Sequence, residues 1–305
     1  IGNSVFGSGS NLGAGNFAVY TGALNTVLVS GLTAGTSYHF AVYEYNDAGG
    51  TAGAENYLLP GGIGDAATID VPLIYTWIGG NSTWNTAANW APARLFPATN
   101  DILLFLDGTT ETVTDVPNES IGQLHVTLNT HVTLQAAVNN TVLNINGNVP
   151  FEDFTVDPTS SLTIGGANSF VLNLATGTNG IVDGLVSLIG TGATVHKLTA
   201  ADADGVSFNT SSKFVAGAGL SGNPFGNVTA GSVVFISGSE MEQVSGANPF
   251  AIAAGVVTFQ TGSLYKITGA TFTPSFSGRT YANVQIDAVG YSVSSPGGSP
   301  LSIDD

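Results

Sequence analysis

The chain has no cysteine, one methionine and only five lysines and arginines in 305 residues. Without cysteine, neither a disulfide nor a thiolate metal site contributes to it. The five bases stand against 21 acids, a net charge of −16, so a phosphate backbone is repelled and nucleic acid is not expected as a partner. The want of Lys/Arg clusters also removes the electrostatic route to anionic lipid. No apolar run is long enough to span a bilayer, so membrane insertion is not expected either. Charged residues are only 9% of the chain, too few of the Glu, Lys and Arg that fill helix surfaces.

What is abundant points to strands and tight turns. Gly contributes 41 residues, Thr, Ser and Asn supply most of the polar side, and 43% of the chain is apolar, enough for a continuous core. The most informative pattern is a phrase written three times at nearly constant spacing, as Val206-Ser-Phe208, Val233-Val-Phe235 and Val257-Thr-Phe259, each followed by a short polar turn. Asn223-Pro-Phe225 and Asn248-Pro-Phe250 recur between them at a matching interval. Earlier, Leu124-His-Val126 with Val132-Thr-Leu134 returns as Phe154-Thr-Val156 with Leu162-Thr-Ile164, and Val142-Leu-Asn-Ile145 returns as Val171-Leu-Asn-Leu174, both at a somewhat longer spacing. Periods of this length specify stacked coils, because one coil alone has too little apolar surface to fold. Alternation puts Val206/Phe208 and their copies on one face, pointing inward at equal heights. Asn144, Asn146 and Asn173 are expected to stack inside as amide ladders.

Residues 1–66 alternate apolar and polar in short runs, Asn16 to Tyr20, Asn25 to Ser30 and Tyr38 to Tyr45, the pattern of antiparallel sandwich strands. The segment Gly31-Leu32-Thr-Ala-Gly35-Thr-Ser-Tyr38-His-Phe40 resembles the later half of a fibronectin type III domain. The resemblance implies a tyrosine corner at Leu32 and Tyr38, with the phenol bonded to backbone just upstream, and a core left half covered. Residues 61–72 read as a Gly-rich linker ended by Pro72. Trp77, Trp84 and Trp90 then follow in quick succession. With Pro92, Pro97 and Asp101 they resemble the Trp-rich opening of autotransporter-like β-helical repeats, which implies that residues 67–107 are linker and cap and that repeats run over 108–305. Phe276-Ser-Gly-Arg279-Thr-Tyr281 resembles a phrase of repetitive Bacteroidota surface proteins and adhesins exported by the type IX route. Leu301-Ser-Ile303 reads as the start of another strand, and Ile1 is not an initiator, so a longer natural chain is expected. The fold class expected is all-β: a partial fibronectin III-like antiparallel sandwich followed by a right-handed parallel β-solenoid.

Candidate chemistry is sparse. The three tryptophans could offer indole faces to sugars, though capping of an apolar rod is the preferred reading. Asp202 and Asp204, at alternate positions before Gly205, could bind Ca2+, but no further ligands follow at fixed spacing and a solvated acidic turn is preferred. The bases Arg94, Lys197, Lys213, Lys266 and Arg279 form no cluster with Asp pairs in sequence, unlike β-helical pectin-degrading enzymes, and Arg279 is expected to brace a turn. His39, His125, His131 and His196 lie singly and are read as exposed strand residues. Asp101, Asp107, Asp304 and Asp305 are scattered. No catalytic, cofactor-binding or metal site is assigned.

The expected role is therefore that of a non-enzymatic extracellular stalk or adhesive surface on a bacterial cell. Glycans, cell-surface or matrix proteins, or sister copies are the expected partners. The alternatives are a polysaccharide-binding or polysaccharide-cleaving β-helix, separable by loss of glycan binding in Trp84→Ala, and a filament subunit.

Overall fold

The structure, a computed structural model, describes residues 2–33, 36–46, 56–67, 72–147, 152–192, 194–227, 229–251, 255–269, 278–290 and 302–303. It divides into two units, 1–71 and 72–305. Among the described residues the only helical segment is the short 3-10 turn Ala87–Asn89.

The first unit contains three two-stranded antiparallel pieces: Asn11–Gly13 with Asn16–Phe17, Ser37–Val42 with Gly62–Ala67, and Tyr45–Asn46 with Asn56–Tyr57. Residues 62–67 are thus a strand and not linker, because an antiparallel ladder draws on backbone groups that Gly supplies as well as any residue. The expected strand at 25–30 reduces to one bridge, Ser30 to Val5. Tyr38 Oη accepts a hydrogen bond from the Thr33 N–H at 2.9 Å, the upstream backbone bond that the tyrosine-corner reading requires. Phe6 packs edge-on against both Phe17 and Tyr38, at 5.3 and 5.1 Å. Leu28 and Ile63 are each 87% exposed, so this small core leaves much apolar surface uncovered.

The second unit is a parallel β-solenoid of about seven turns. Its first sheet has nine strands, running from Trp90–Ala91 and Ile74–Trp77 through Ile102–Phe105 and Gln123–Val126 to Val257–Phe259. The second, also nine-stranded, runs from Ser82–Thr83 through Thr110–Val116 and His131–Ala136 to Asn283–Ile286. A third of four strands comprises Glu119–Ile121, Thr141–Ile145, Phe170–Leu174 and Lys197–Ala200.

The registers are those of the sequence repeats: Leu124 lies beside Phe154, Val132 beside Leu162, Val142 beside Val171, and Phe208, Phe235 and Phe259 beside one another. The last three rings stack face to face, Phe208 on Phe235 at 4.6 Å and 9°, and Phe235 on Phe259 at 5.2 Å and 19°. Tyr281 continues the column at 5.7 Å. Ser302–Ile303 pairs in parallel with Thr280–Tyr281, as the strand-like reading of this segment predicts.

The turn after each Phe repeats as closely as the strand. Gly238 and Gly262 adopt φ of 81° and 85°, and Ser211 takes φ of 70° at the equivalent place one coil earlier. The Ser211 N–H donates to Gly238 O, and the Gly238 N–H to Gly262 O. Gly is favoured here because the turn demands the left-handed region. The next residues, Ser212, Ser239 and Ser263, are buried.

The third sheet stops after four strands. Beyond Lys197–Ala200, the place of its next strand is taken by the Asn-Pro-Phe corner, whose Pro224 O accepts from the Leu198 N–H. Asn223 Oδ1 accepts from the Phe225 N–H and Asn248 Oδ1 from the Phe250 N–H, which closes each corner; Asn223 Nδ2 donates to Asn248 O and joins one corner to the next. Phe225 and Phe250 turn into the core.

Two expectations change. The tryptophan segment is not a separate lid before a rod that starts at residue 108. Its strands Ile74–Trp77 and Ser82–Thr83 already lie in the two long sheets, and Trp90–Ala91 closes the first sheet by pairing antiparallel with Thr76 and Trp77. The asparagine ladder exists but lies on the outer face. Asn173 Nδ2 donates to Asn144 Oδ1 at 2.9 Å and Thr199 Oγ1 to Asn173 Oδ1 at 2.7 Å, while the inward positions hold Leu143, Ile145, Leu172 and Leu174. Period-two alternation with these leucines leaves the amides no inward position. Asn146, just past the strand, is exposed and donates to Thr99 O.

Candidate functional site

At the start of the solenoid, Trp77, Trp84 and Trp90 are buried to within 2% of full coverage. Trp77 and Trp84 meet Trp90 edge-on at 4.9 and 5.1 Å. Each indole N–H is satisfied: Trp77 by Gly80 O, Trp90 by Trp84 O and Trp84 by Glu119 Oε2. No ring face is open to a sugar, because the faces cover the end of the apolar interior against Phe105.

The same end holds a cluster that the sequence reading missed. Arg94, 5% exposed, donates from Nε to Asp101 Oδ2 at 2.8 Å and from Nη2 to Glu119 Oε1. Its guanidinium faces the rings of Tyr75 and Trp90 at 5.8 and 5.9 Å. Asp101 Oδ2 also accepts from the Ala98 N–H. Arg94 is therefore clustered with two acids after all, one close by in sequence and the other a full coil away. The signal available was a lone Arg amid Ala, Pro and Leu between Trp90 and Asp101. Two carboxylates committed to one guanidinium form a brace, whose planar donors suit bidentate bridging.

Glu111 lies next to this region, 2% exposed and inward-facing. It is in register with Val132, which continues through Leu162 and Val186 to Phe214. Alternation with Val113 was the signal for it. Burial pushes the Glu111 carboxyl up to about 7, with the charge of Asp107 adding to the shift and the Trp77 indole N–H opposing it. Between its ordinary 4.5 and about 7 the folded state holds a proton that the unfolded state has lost, so stability falls as pH rises through that window and levels off above it. Melting temperatures at pH 5 and pH 8 check this: the native chain is expected to lose more than Glu111→Gln, and equal losses would contradict it.

The remaining candidates do not converge. Asp202 accepts from the Gly177 N–H one coil back, and Asp204 is exposed with φ of 56°. Among the described residues no group of three or more His, Asp or Glu side chains is placed to hold a metal ion. Asp304 and Asp305 lie outside the described residues. His125 bonds Thr155 at 2.8 Å and His131 bonds Ser161 at 2.9 Å, each to the neighbouring coil. His196 is fully buried, contrary to its expected exposure, and burial holds its ring below the usual value. His39 is exposed. Arg279 sits over the Phe250 ring at 4.8 Å, in keeping with a bracing role.

The outer face of the second sheet carries in-register ladders. Thr112, Thr133 and Thr163 stand side by side, and Ser187 continues the row but is buried. Further along, Lys213 Nζ pairs with Glu240 and Glu242 at 2.9 and 2.6 Å, and Lys266 with Asp287 at 3.1 Å. The ammonium of Lys213 holds the Glu242 carboxyl below its ordinary range. Exposed pairs of this kind add at most about 1 kcal/mol each, so their main effect is on register.

No protein-family model, curated protein or solved structure matches the chain. Its reading rests on its own geometry.

Proposed function

We propose that the chain is a non-enzymatic structural and adhesive segment of a bacterial cell-surface protein. In this reading a fibronectin-like module precedes a solenoid that acts as a stalk and presents its polar faces. The observation that carries it is the continuous, in-register stacking of the coils behind flat faces of Thr, Ser and Asn. Regular outward spacing lets many weak polar contacts act together, so attachment arises from multiplicity and needs no deep pocket. The low charge, acidic balance and abundance of Asn, Thr and Gly suit an exported chain, and the Tyr38–Thr33 bond supports the fibronectin-like module. Export by the type IX route, as in repetitive Bacteroidota surface proteins, is part of the same proposal.

Beads coated with the full chain test it. They are expected to attach to cells, to glycan-coated surfaces or to one another above the level of beads bearing an unrelated acidic protein. Thr133→Ala/Thr163→Ala is expected to reduce attachment with little change in melting temperature. Attachment to none of the three, or attachment indifferent to the double substitution, would overturn the reading.

A further inference from the structure

Where the third sheet stops, the wall of the solenoid is recessed. Two shallow hollows of about 330 and 370 Å³, open to solvent, adjoin there at Ala247, the first lined by Lys197, Asn223, Asn227, Asn248 and Ala251, the second by Leu220, Ser221 and Ser245 among glycines. Lys197 opens the last strand of the third sheet, and in the following coils Asn-Pro-Phe corners take the place of its next strands. Each hollow is at the lower end of the size range of small-ligand sites.

Lys197 differs from the other lysines. Lys213 and Lys266 are ion-paired, whereas the described residues give Lys197 no carboxylate partner, and none lines either hollow. In a chain of net charge −16 this is a locally positive spot. Beside it, the Asn227 amide and Asn248 Nδ2 have no hydrogen-bond partner among the described residues, while Asn223 and Asn248 Oδ1 are fixed by their corner bonds. An ammonium flanked by an amide fixed in its corner, Asn248, and a free one, Asn227, matches a sugar that carries a carboxylate: charge-assisted bonding to the acid, amide bonding to adjacent hydroxyls. Repulsion from the rest of the chain is screened beyond roughly 8 Å at physiological salt, so the contact charge decides.

We infer that this recess binds a uronate residue of an acidic polysaccharide, with Lys197 on the carboxylate and Asn227 and Asn248 on hydroxyls. The inference rests on the presenting role proposed above and names one partner for it.

Calorimetric titration of the full chain with a xylo-oligosaccharide bearing one glucuronate, and with its carboxyl-reduced neutral form, tests it. Saturable binding of the acidic form is expected, weakened about tenfold or more in Lys197→Gln, the loss of one charge-assisted bond, and to a similar degree for the neutral form. Asn227→Ala is expected to weaken it less, and Lys213→Gln not at all. No binding, or binding equal in Lys197→Gln, or equal for the two sugars, would overturn the site. Should the titration fail while coated beads still attach, the presenting role stands without this partner; if the beads fail too, both readings fall.

Discussion

Phe235→Ala is expected to destabilise the solenoid by about 3 to 5 kcal/mol, the cost of deleting a fully buried Phe whose cavity cannot collapse. The ring is fully buried and is held on both faces, by Phe208 and Phe259, with Phe225 against it at 6.2 Å. Neither neighbour can move into the gap without giving up its own register, because each is fixed by a parallel ladder. Ile236, the next residue, is only partly buried, and its truncation is expected to cost about 1 kcal/mol or less. Coils that touch only their neighbours lose stability locally, so the damage should be confined. Hydrogen exchange is the suitable measurement. Amides of residues 206–208 and 257–259 are expected to exchange much faster in Phe235→Ala, and those of 141–145 to change little. Equal effects of Phe235→Ala and Ile236→Ala would remove the column from the account.

Arg94→Ala is expected to be comparably damaging at the other end, again by about 3 to 5 kcal/mol, because it leaves buried carboxylates without a counter-charge. Asp101 is fully buried and Glu119 partly, its side chain 12% exposed, and both meet Arg94. Glu119 also holds the Trp84 indole N–H at 2.7 Å, so its release loosens the ring cluster. Arg94→Lys is expected to rescue only part of the loss, since an ammonium lacks the planar fork that spans two acids. All three tryptophans of the chain lie in this cluster, which makes intrinsic fluorescence a local probe. The denaturation midpoint by fluorescence is expected to fall well below that by circular dichroism, which averages over all coils. Coincident, unshifted midpoints would show that the ion cluster does not hold this end together.

The coil stack was legible because its signals are local and repeated. Val-x-Phe at 206, 233 and 257 and the Leu124/Phe154 pair are matched residue for residue by the strand pairings, since a one-residue slip would turn every inward side chain outward. The Trp segment's place in the sheets was not legible, because its strand Ser82–Thr83 is too short to alternate. Arg94 was missed because Glu119 is distant in sequence and only the coil brings the two together. Glu111 was readable from its alternation with Val113, although a carboxyl inside a column of Val, Leu and Phe runs against the usual exposure of acids. The recess beside Lys197 lies where Asn-Pro-Phe corners replace the third sheet, and although the corners repeat visibly in the sequence, the end of that sheet does not. For residues 1–66 the tyrosine-corner bond was implied by the resemblance of residues 31–40 to a fibronectin type III domain, whereas the strand at 62–67 was hidden by glycine.

Adjacency of the coils in register is the claim on which everything else depends, and the cysteine-free sequence permits a clean test. Neighbouring strands lie about 4.8 Å apart, within the Cα separation a disulfide accepts. The pairs Thr133→Cys/Thr163→Cys and Val215→Cys/Glu242→Cys join residues that stand side by side on the outer face of the second sheet. Thr133→Cys/Leu162→Cys is out of register by one, with Leu162 pointing inward. Mild oxidation followed by mass measurement is expected to find an intramolecular disulfide in both in-register pairs and none in the shifted pair. Crosslinking of the shifted pair instead, or of none, would contradict the stacked-coil account.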